Sequence, residues 1–221
     1  MAGPSTVRKR VVAGATGKIE AVFTDPVQPR IVAVIAHPHP LFGGTMDNKV
    51  VTTVARAFHE LGALTWRFNF RGVGGTAGTH DEGRGETEDM LAVIAQARAE
   101  APELPLLLAG FSFGGAVALR ASGAVEFEQL VLMAPGFRRF TREGMGEPPD
   151  PQDAGLGAPG RHTQANTYIV HGDRDETVPL ADSLAWAEAR EIPVVVIPGA
   201  DHFFHRKLHV IRGVVSRMTD L

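Results

Sequence analysis

Ser112 stands at the centre of Gly110-Phe111-Ser112-Phe113-Gly114. Before it runs the apolar segment Leu106-Leu107-Leu108-Ala109, which reads as a buried strand, and after it small residues open a helix. A sharp strand-to-helix turn holds its central residue in strained dihedrals and lifts that side chain above the sheet. Glycines at 110 and 114 leave room for the close-packed backbone, and the helix N-terminus favours developing negative charge. The chemistry this suits is nucleophilic attack by a hydroxyl. The competing reading, a serine that merely caps a helix, does not account for the flanking strand and small-residue helix.

A serine needs a base to take its proton, and the base needs a carboxylate to orient it. With a nucleophile on a strand-to-helix turn, acid and base follow it in that order along the chain, each leaving the end of a later strand. Of the nine histidines, His162, His171, His202, His205 and His209 follow Ser112. His202, in Pro198-Gly199-Ala200-Asp201-His202, leaves the last strand and is the expected base. His205 and His209 read as histidines of the final helix, and a metal site built from them with His202 has no carboxylate support. The acid should come from His171-Gly172-Asp173-Arg174-Asp175-Glu176-Thr177-Val178-Pro179. Spacing alone does not choose among its three carboxylates.

The elements that must position these groups alternate along the chain. Short apolar runs at 31–36, 64–70, 105–110, 130–134, 168–171 and 194–197 read as buried strands. Helical spacing fills the gaps: 47–61, a face of Met90, Leu91, Val93, Ile94 and Ala97, the segment after Ser112, 180–190, and 204–218. The expected fold class is therefore α/β, a mostly parallel central sheet with helices on both faces. Segments 7–13 and 19–24 read as an antiparallel hairpin at its edge, and 136–164 as a long Pro- and Gly-rich surface loop. One domain over residues 1–221 is expected.

Composition narrows the partners. The net charge of −3 offers no basic excess for nucleic acid or an anionic membrane. Cysteine is absent, which removes disulfides, thiolate metal sites and cysteine nucleophiles, and fits a reducing compartment. The basic first ten residues are not followed by a long apolar run, so a cytoplasmic protein without signal or anchor is expected.

Four segments together resemble the α/β-hydrolase superfamily, and within it a group of small, lid-less bacterial serine hydrolases of carboxylesterase type. They are His37-Pro38-His39-Pro40-Leu41-Phe42-Gly43-Gly44-Thr45-Met46-Asp47-Asn48, Phe68-Asn69-Phe70-Arg71-Gly72-Val73-Gly74, the Ser112 turn, and His171-Gly172-Asp173-Arg174-Asp175. The resemblance implies an α/β-hydrolase fold without a cap domain, and it implies Asp175 as the acid, because related enzymes place theirs four residues before the proline of an Asp-x-x-Val-Pro segment. It likewise implies His202 as base. The oxyanion hole should combine the N–H of Phe113 with one from the loop after residue 36. Proline has no N–H, which excludes Pro38 and Pro40 and leaves His39, Leu41 and Phe42. Leu41 is favoured, with His39 the rival, because Gly43-Gly44 lets the backbone fold toward the site. His37 and His39 otherwise read as loop-packing histidines.

The implied reaction is hydrolysis of small, short-acyl esters through an acyl-enzyme, with no cofactor or metal. A peptidase or thioesterase uses the same triad, and a non-catalytic binding protein would be missing a member of it. Phe42, Phe111, Phe113, Phe137, Phe203 and Phe204 are candidates to line the acyl pocket. Gly72-Val73-Gly74-Gly75-Thr76-Ala77 also fits a dinucleotide fingerprint. No apolar helix opens directly after it, so it reads as a loop beside the site.

Overall fold

The computed structural model describes residues 6–137 and 166–219; the centre of the expected 136–164 loop lies outside them. β1 (Thr6–Gly14) and β2 (Gly17–Asp25) form the expected antiparallel hairpin. It joins an eight-stranded sheet in the order β1-β2-β4-β3-β5-β6-β7-β8. β2 pairs antiparallel with β4 (Ala63–Phe68). From β4 onward every neighbour is parallel: β3 (Ile31–Ala36), β5 (Leu106–Phe111), β6 (Gln129–Met133), β7 (Thr167–Gly172) and β8 (Val194–Ile197).

The central strands are apolar on both faces because helices cover both. In β3, Ile31, Ala33 and Ile35 join a core with Val50, Val54 and Phe58 of α1 (Lys49–Glu60) and Ile211 and Val215 of α5 (Leu208–Met218). The alternate residues Val32, Val34 and Ala36 join the opposite core. There they meet Met90, Val93 and Ile94 of α2 (Arg84–Glu100), Val117 and Leu119 of α3 (Phe113–Ser122), and Trp186 of α4 (Leu180–Glu188). Strand alternation thus divides the apolar residues between two layers.

The chain reverses direction across the sheet at β3. α1 leads from β3 to β4 on one side, and α2 brings the chain back past β3 to β5 on the other. Crevices form at the carboxyl ends of strands at such switch points. The loop after β3 and the Ser112 turn after β5 both open there.

Two boundaries differ from the periodicity. β4 ends at Phe68: the Asn69 N–H still reaches the Glu20 carbonyl of β2, but the Asn69 side chain and the Phe70 N–H bond the loop after β3. The last helix starts at Leu208 rather than 204, since Phe204 and Arg206 take positive φ (52° and 59°), which a right-handed helix excludes. His205 therefore lies in the turn before α5, and only His209 is on the helix.

Candidate active site

The Ser112 turn is held by close approach. Ser112 has φ 56° and ψ −119°, a sparsely populated conformation for any residue with a Cβ. A Cβ at Gly110 would lie 2.1 Å from the Gly114 carbonyl oxygen. One at Gly114 would lie 2.3 Å from that of His37. Both glycines are needed for helix α3 to start so near β3 and β5. Phe113 is the first residue of α3, so its N–H has no acceptor within the helix.

Ser112 Oγ lies 2.9 Å from His202 Nε2, and His202 Nδ1 lies 2.7 Å from Asp175 Oδ2. All three side chains are buried or nearly so. The other carboxylate oxygen, Asp175 Oδ1, accepts the N–H groups of Thr177 and Val178 at 2.9 and 2.8 Å. Burial alone would raise the Asp175 pKa. Hydrogen bonds from His171, His202 and the Val178 N–H outweigh it and hold the carboxyl well below the usual carboxylate range. Asp173, the other aspartate in this turn, is exposed and accepts the Gly199 N–H instead.

The loop after β3 supplies the opposite wall. His37 is fully buried; its Nε2 accepts the Phe70 N–H at 3.0 Å, so its proton is on Nδ1, donated to the Pro38 carbonyl at 2.6 Å. Met46 N–H donates to Asn69 Oδ1, and Asn69 Nδ2 donates to Glu20 Oε2, each at 2.9 Å. Arg71 is buried in a paired contact with Asp89, at 3.1 and 3.0 Å. These bonds explain why the segments 37–48 and 68–74 belong together: the second fastens the first. The Gly72–Ala77 segment is part of that fastening, with the Gly75 N–H on Glu20 and the Thr76 hydroxyl on the Asn69 carbonyl.

Burial lowers the His37 pKa to about 4, only partly offset by its bond to the Pro38 carbonyl. The unfolded chain takes a proton there near pH 6.5 and the folded chain does not. Stability from this site is therefore full above pH 6.5 and is lost as pH falls toward 4. The slope is about 1.4 kcal/mol per pH unit, for about 3 kcal/mol in all. Urea unfolding of His37→Gln should lack that slope between pH 6.5 and 4; an unchanged slope would contradict the assignment.

Leu41, favoured from sequence for the second oxyanion N–H, is not among the residues that line the pocket over Ser112. Its N–H donates to His39 Nδ1 at 3.3 Å within a short 3₁₀ turn, and its side chain is 68% exposed. Phe42 N–H is likewise engaged, donating to the His39 carbonyl at 3.2 Å. The loop does fold back at its glycines: a Cβ at Gly44 would lie 2.1 Å from the Pro38 carbonyl oxygen.

A pocket of about 240 Å³ opens over Ser112. Pro38, His39, Phe42, Gly43, Gly44 and Asn48 line it together with Thr177, His202 and Phe203. Of the six candidate phenylalanines only Phe42 and Phe203 reach it. Phe111 packs beneath His202, Phe113 lies among His39, Phe70 and His80, Phe137 stacks on Trp186, and Phe204 is wholly buried in the core. His205 bonds Asp201 on the surface, and among the described residues no cluster of His, Asp and Glu is arranged to hold a metal.

A parallel sheet with a serine on the turn after β5 and a histidine–aspartate pair on the turns after β8 and β7 defines an α/β hydrolase. Residues 29–149 match the family model for serine aminopeptidase, S33 (Hydrolase_4), and the chain belongs to this family of α/β serine hydrolases. Among solved structures, it is 36% identical to an alpha-beta serine hydrolase homologue from Coxiella burnetii, with a TM-score of 0.81 over 96% of this chain and 97% of that one. It is 34% identical to XC6422 from Xanthomonas campestris, described as an a/b serine hydrolase without lid, with a TM-score of 0.82 over 98% and 94%. It is also 32% identical to the uncharacterized protein RP471 of Rickettsia prowazekii over 207 residues, 88% of this chain and 81% of that protein. Among the described residues there is no cap domain over the sheet, and no helix long and apolar enough to cross a membrane.

Proposed function

We propose that the protein hydrolyses small, uncharged carboxylic esters through an acyl-enzyme on Ser112. The observation that carries this is the unbroken chain Ser112–His202–Asp175, at 2.9 and 2.7 Å, at the base of an open pocket. His202 Nε2 takes the Ser112 proton as Oγ attacks the carbonyl carbon. Asp175 accepts the Nδ1–H and stabilises the imidazolium that forms. The oxyanion is held by the Phe113 N–H and, in place of Leu41, the His39 N–H. The choice of His39 rests on its place in the pocket wall and on Leu41 and Phe42 donating within their own turn. His202 then returns its proton to the leaving alcohol, and water repeats the sequence on the acyl-enzyme.

The family model carries the name of an aminopeptidase. An aminopeptidase must hold a free ammonium group, which calls for a carboxylate. Among the described lining residues none is Asp or Glu. The apolar contribution comes from Phe42 and Phe203, the polar one from Asn48 and Thr177. This favours a neutral ester. A cytoplasmic carboxylesterase acting on small molecules, without nucleic-acid or membrane partners, completes the proposal; the charge balance and the lack of cysteine support it.

The pocket is below the ~300–1,000 Å³ usual for drug-sized ligands. In a series of p-nitrophenyl esters, kcat/KM should peak at acetyl to butyryl and fall at least about tenfold by decanoyl. A maximum at long acyl groups, or faster turnover of aminoacyl p-nitroanilides than of acetate esters, would overturn this reading.

A further inference from the structure

His171, the penultimate residue of β7, is fully buried and has no part in the proton transfers above. Its Nε2 lies 2.9 Å from the Val178 carbonyl and 3.2 Å from Asp175 Oδ2. Its Nδ1 lies 2.8 Å from Ser183 Oγ in α4. The protons of this group follow from its partners. Nε2 faces two oxygens that can only accept, so the ring proton belongs on Nε2, and a bare lone pair there would oppose both. The hydroxyl of Ser183, itself fully buried, then donates to Nδ1 of the neutral ring.

Oδ2 of Asp175 takes the His202 Nδ1–H from the turn after β8 and lies 3.2 Å from His171 Nε2, whose nearer acceptor is the Val178 carbonyl. Oδ1 accepts the Thr177 and Val178 N–H groups. We propose that His171 is a positioning residue for the reaction: its Nε2–H, held by the Val178 carbonyl at 2.9 Å and set 3.2 Å from Asp175 Oδ2, braces the turn that carries the carboxylate and places a positive hydrogen beside Oδ2. The proposal rests on the triad reading above. Its consequence is a tuned base. An Oδ2 that also faces the His171 N–H offers less negative charge to its other neighbour, so losing that N–H should move the acid limb of the pH–rate profile upward.

Among the described residues, the other charged and titratable groups near this pair are already engaged or turned to solvent. On the turn after β7, Asp173 is tied to the Gly199 N–H, while Arg174 and Glu176 are exposed. On the turn after β8, Asp201 is paired with His205. Asp182 of α4 adjoins Ser183, and His37 and His39 stand on the loop after β3, beyond Ser112.

The test compares pH profiles of kcat/KM for wild type, His171→Met and His171→Gln on p-nitrophenyl acetate, with the tautomer of His171 read by ¹⁵N-histidine NMR in the wild type. The Met variant should lose about tenfold in kcat at neutral pH with KM unchanged, and its acid limb should move up by roughly half a pH unit. Gln, whose amide nitrogen occupies the place of Nε2, should return the limb to its wild-type position. The NMR should show the Nε2–H tautomer. A Met variant that folds and keeps the wild-type limb overturns the proposal, as does an Nδ1–H tautomer. Should the Met variant not fold, the tautomer in the wild type decides the matter alone. That measurement needs no substrate, so its failure stays distinct from a failure of the esterase reading, which would appear as a wild type inert toward every ester.

Discussion

Ser112→Ala should abolish ester turnover, with a loss of roughly 10⁴–10⁶-fold in kcat. What remains is the substrate binding, and the oxyanion stabilisation proposed above for the Phe113 N–H and the opposite loop. The fold should survive. Alanine differs from serine by one oxygen, and the Ser112 φ of 56° is strained equally for both. The backbone of the turn is fixed from outside, with the Ser112 N–H on the Met133 carbonyl at 2.8 Å and the Gly136 N–H on the Ser112 carbonyl at 3.1 Å. A melting temperature near that of wild type, together with lost turnover, separates chemistry from folding. Retained turnover would mean that another group attacks the ester.

Asp175→Asn should cost nearly as much, about 10⁴-fold in kcat, for a reason visible in its partners. Three N–H donors hold the carboxylate, two from backbone on Oδ1 and that of His202 on Oδ2, with His171 Nε2 3.2 Å away. An amide can satisfy only one side. The Thr177 and Val178 N–H groups are fixed by the chain and claim its oxygen, so its NH₂ faces His202 Nδ1. His202 must then accept at Nδ1 and carry its proton on Nε2, aimed at Ser112 Oγ. In that tautomer it cannot take the serine proton. Activity should recover partly at high pH, where Ser112 loses its proton without a base. A variant with near-normal kcat at neutral pH would show that Asp175 does not orient His202.

How much of this is legible in the sequence depends on whether side-chain type or backbone direction decides. The sheet and its helices follow from apolar runs and helical spacing, and Gly110 and Gly114 announce a close approach that the Cβ distances explain. Ser112 and His202 are distinguished by where they leave their strands. Asp175 and Asp173 have the same side chain two residues apart, and only the direction of the turn separates them; the family resemblance had to supply that choice. Leu41 illustrates the limit. The second oxyanion donor is a backbone group, and no side-chain pattern records that the 3₁₀ turn at Pro40–Phe42 aims the Leu41 N–H at His39. The start of α5 is hidden similarly, because Phe204 fits the apolar periodicity while its φ is left-handed. His171 looked like the end of an apolar strand, and its contact with Asp175 depends on a turn that brings the chain back over it.

The central claim is that Ser112 is the activated nucleophile, and intact-mass spectrometry after a fluorophosphonate probe tests it most directly. The structure predicts one adduct per chain, mapped to the peptide holding Ser112, and none in Ser112→Ala. No adduct on the wild-type protein, or an adduct that persists in Ser112→Ala, would contradict it.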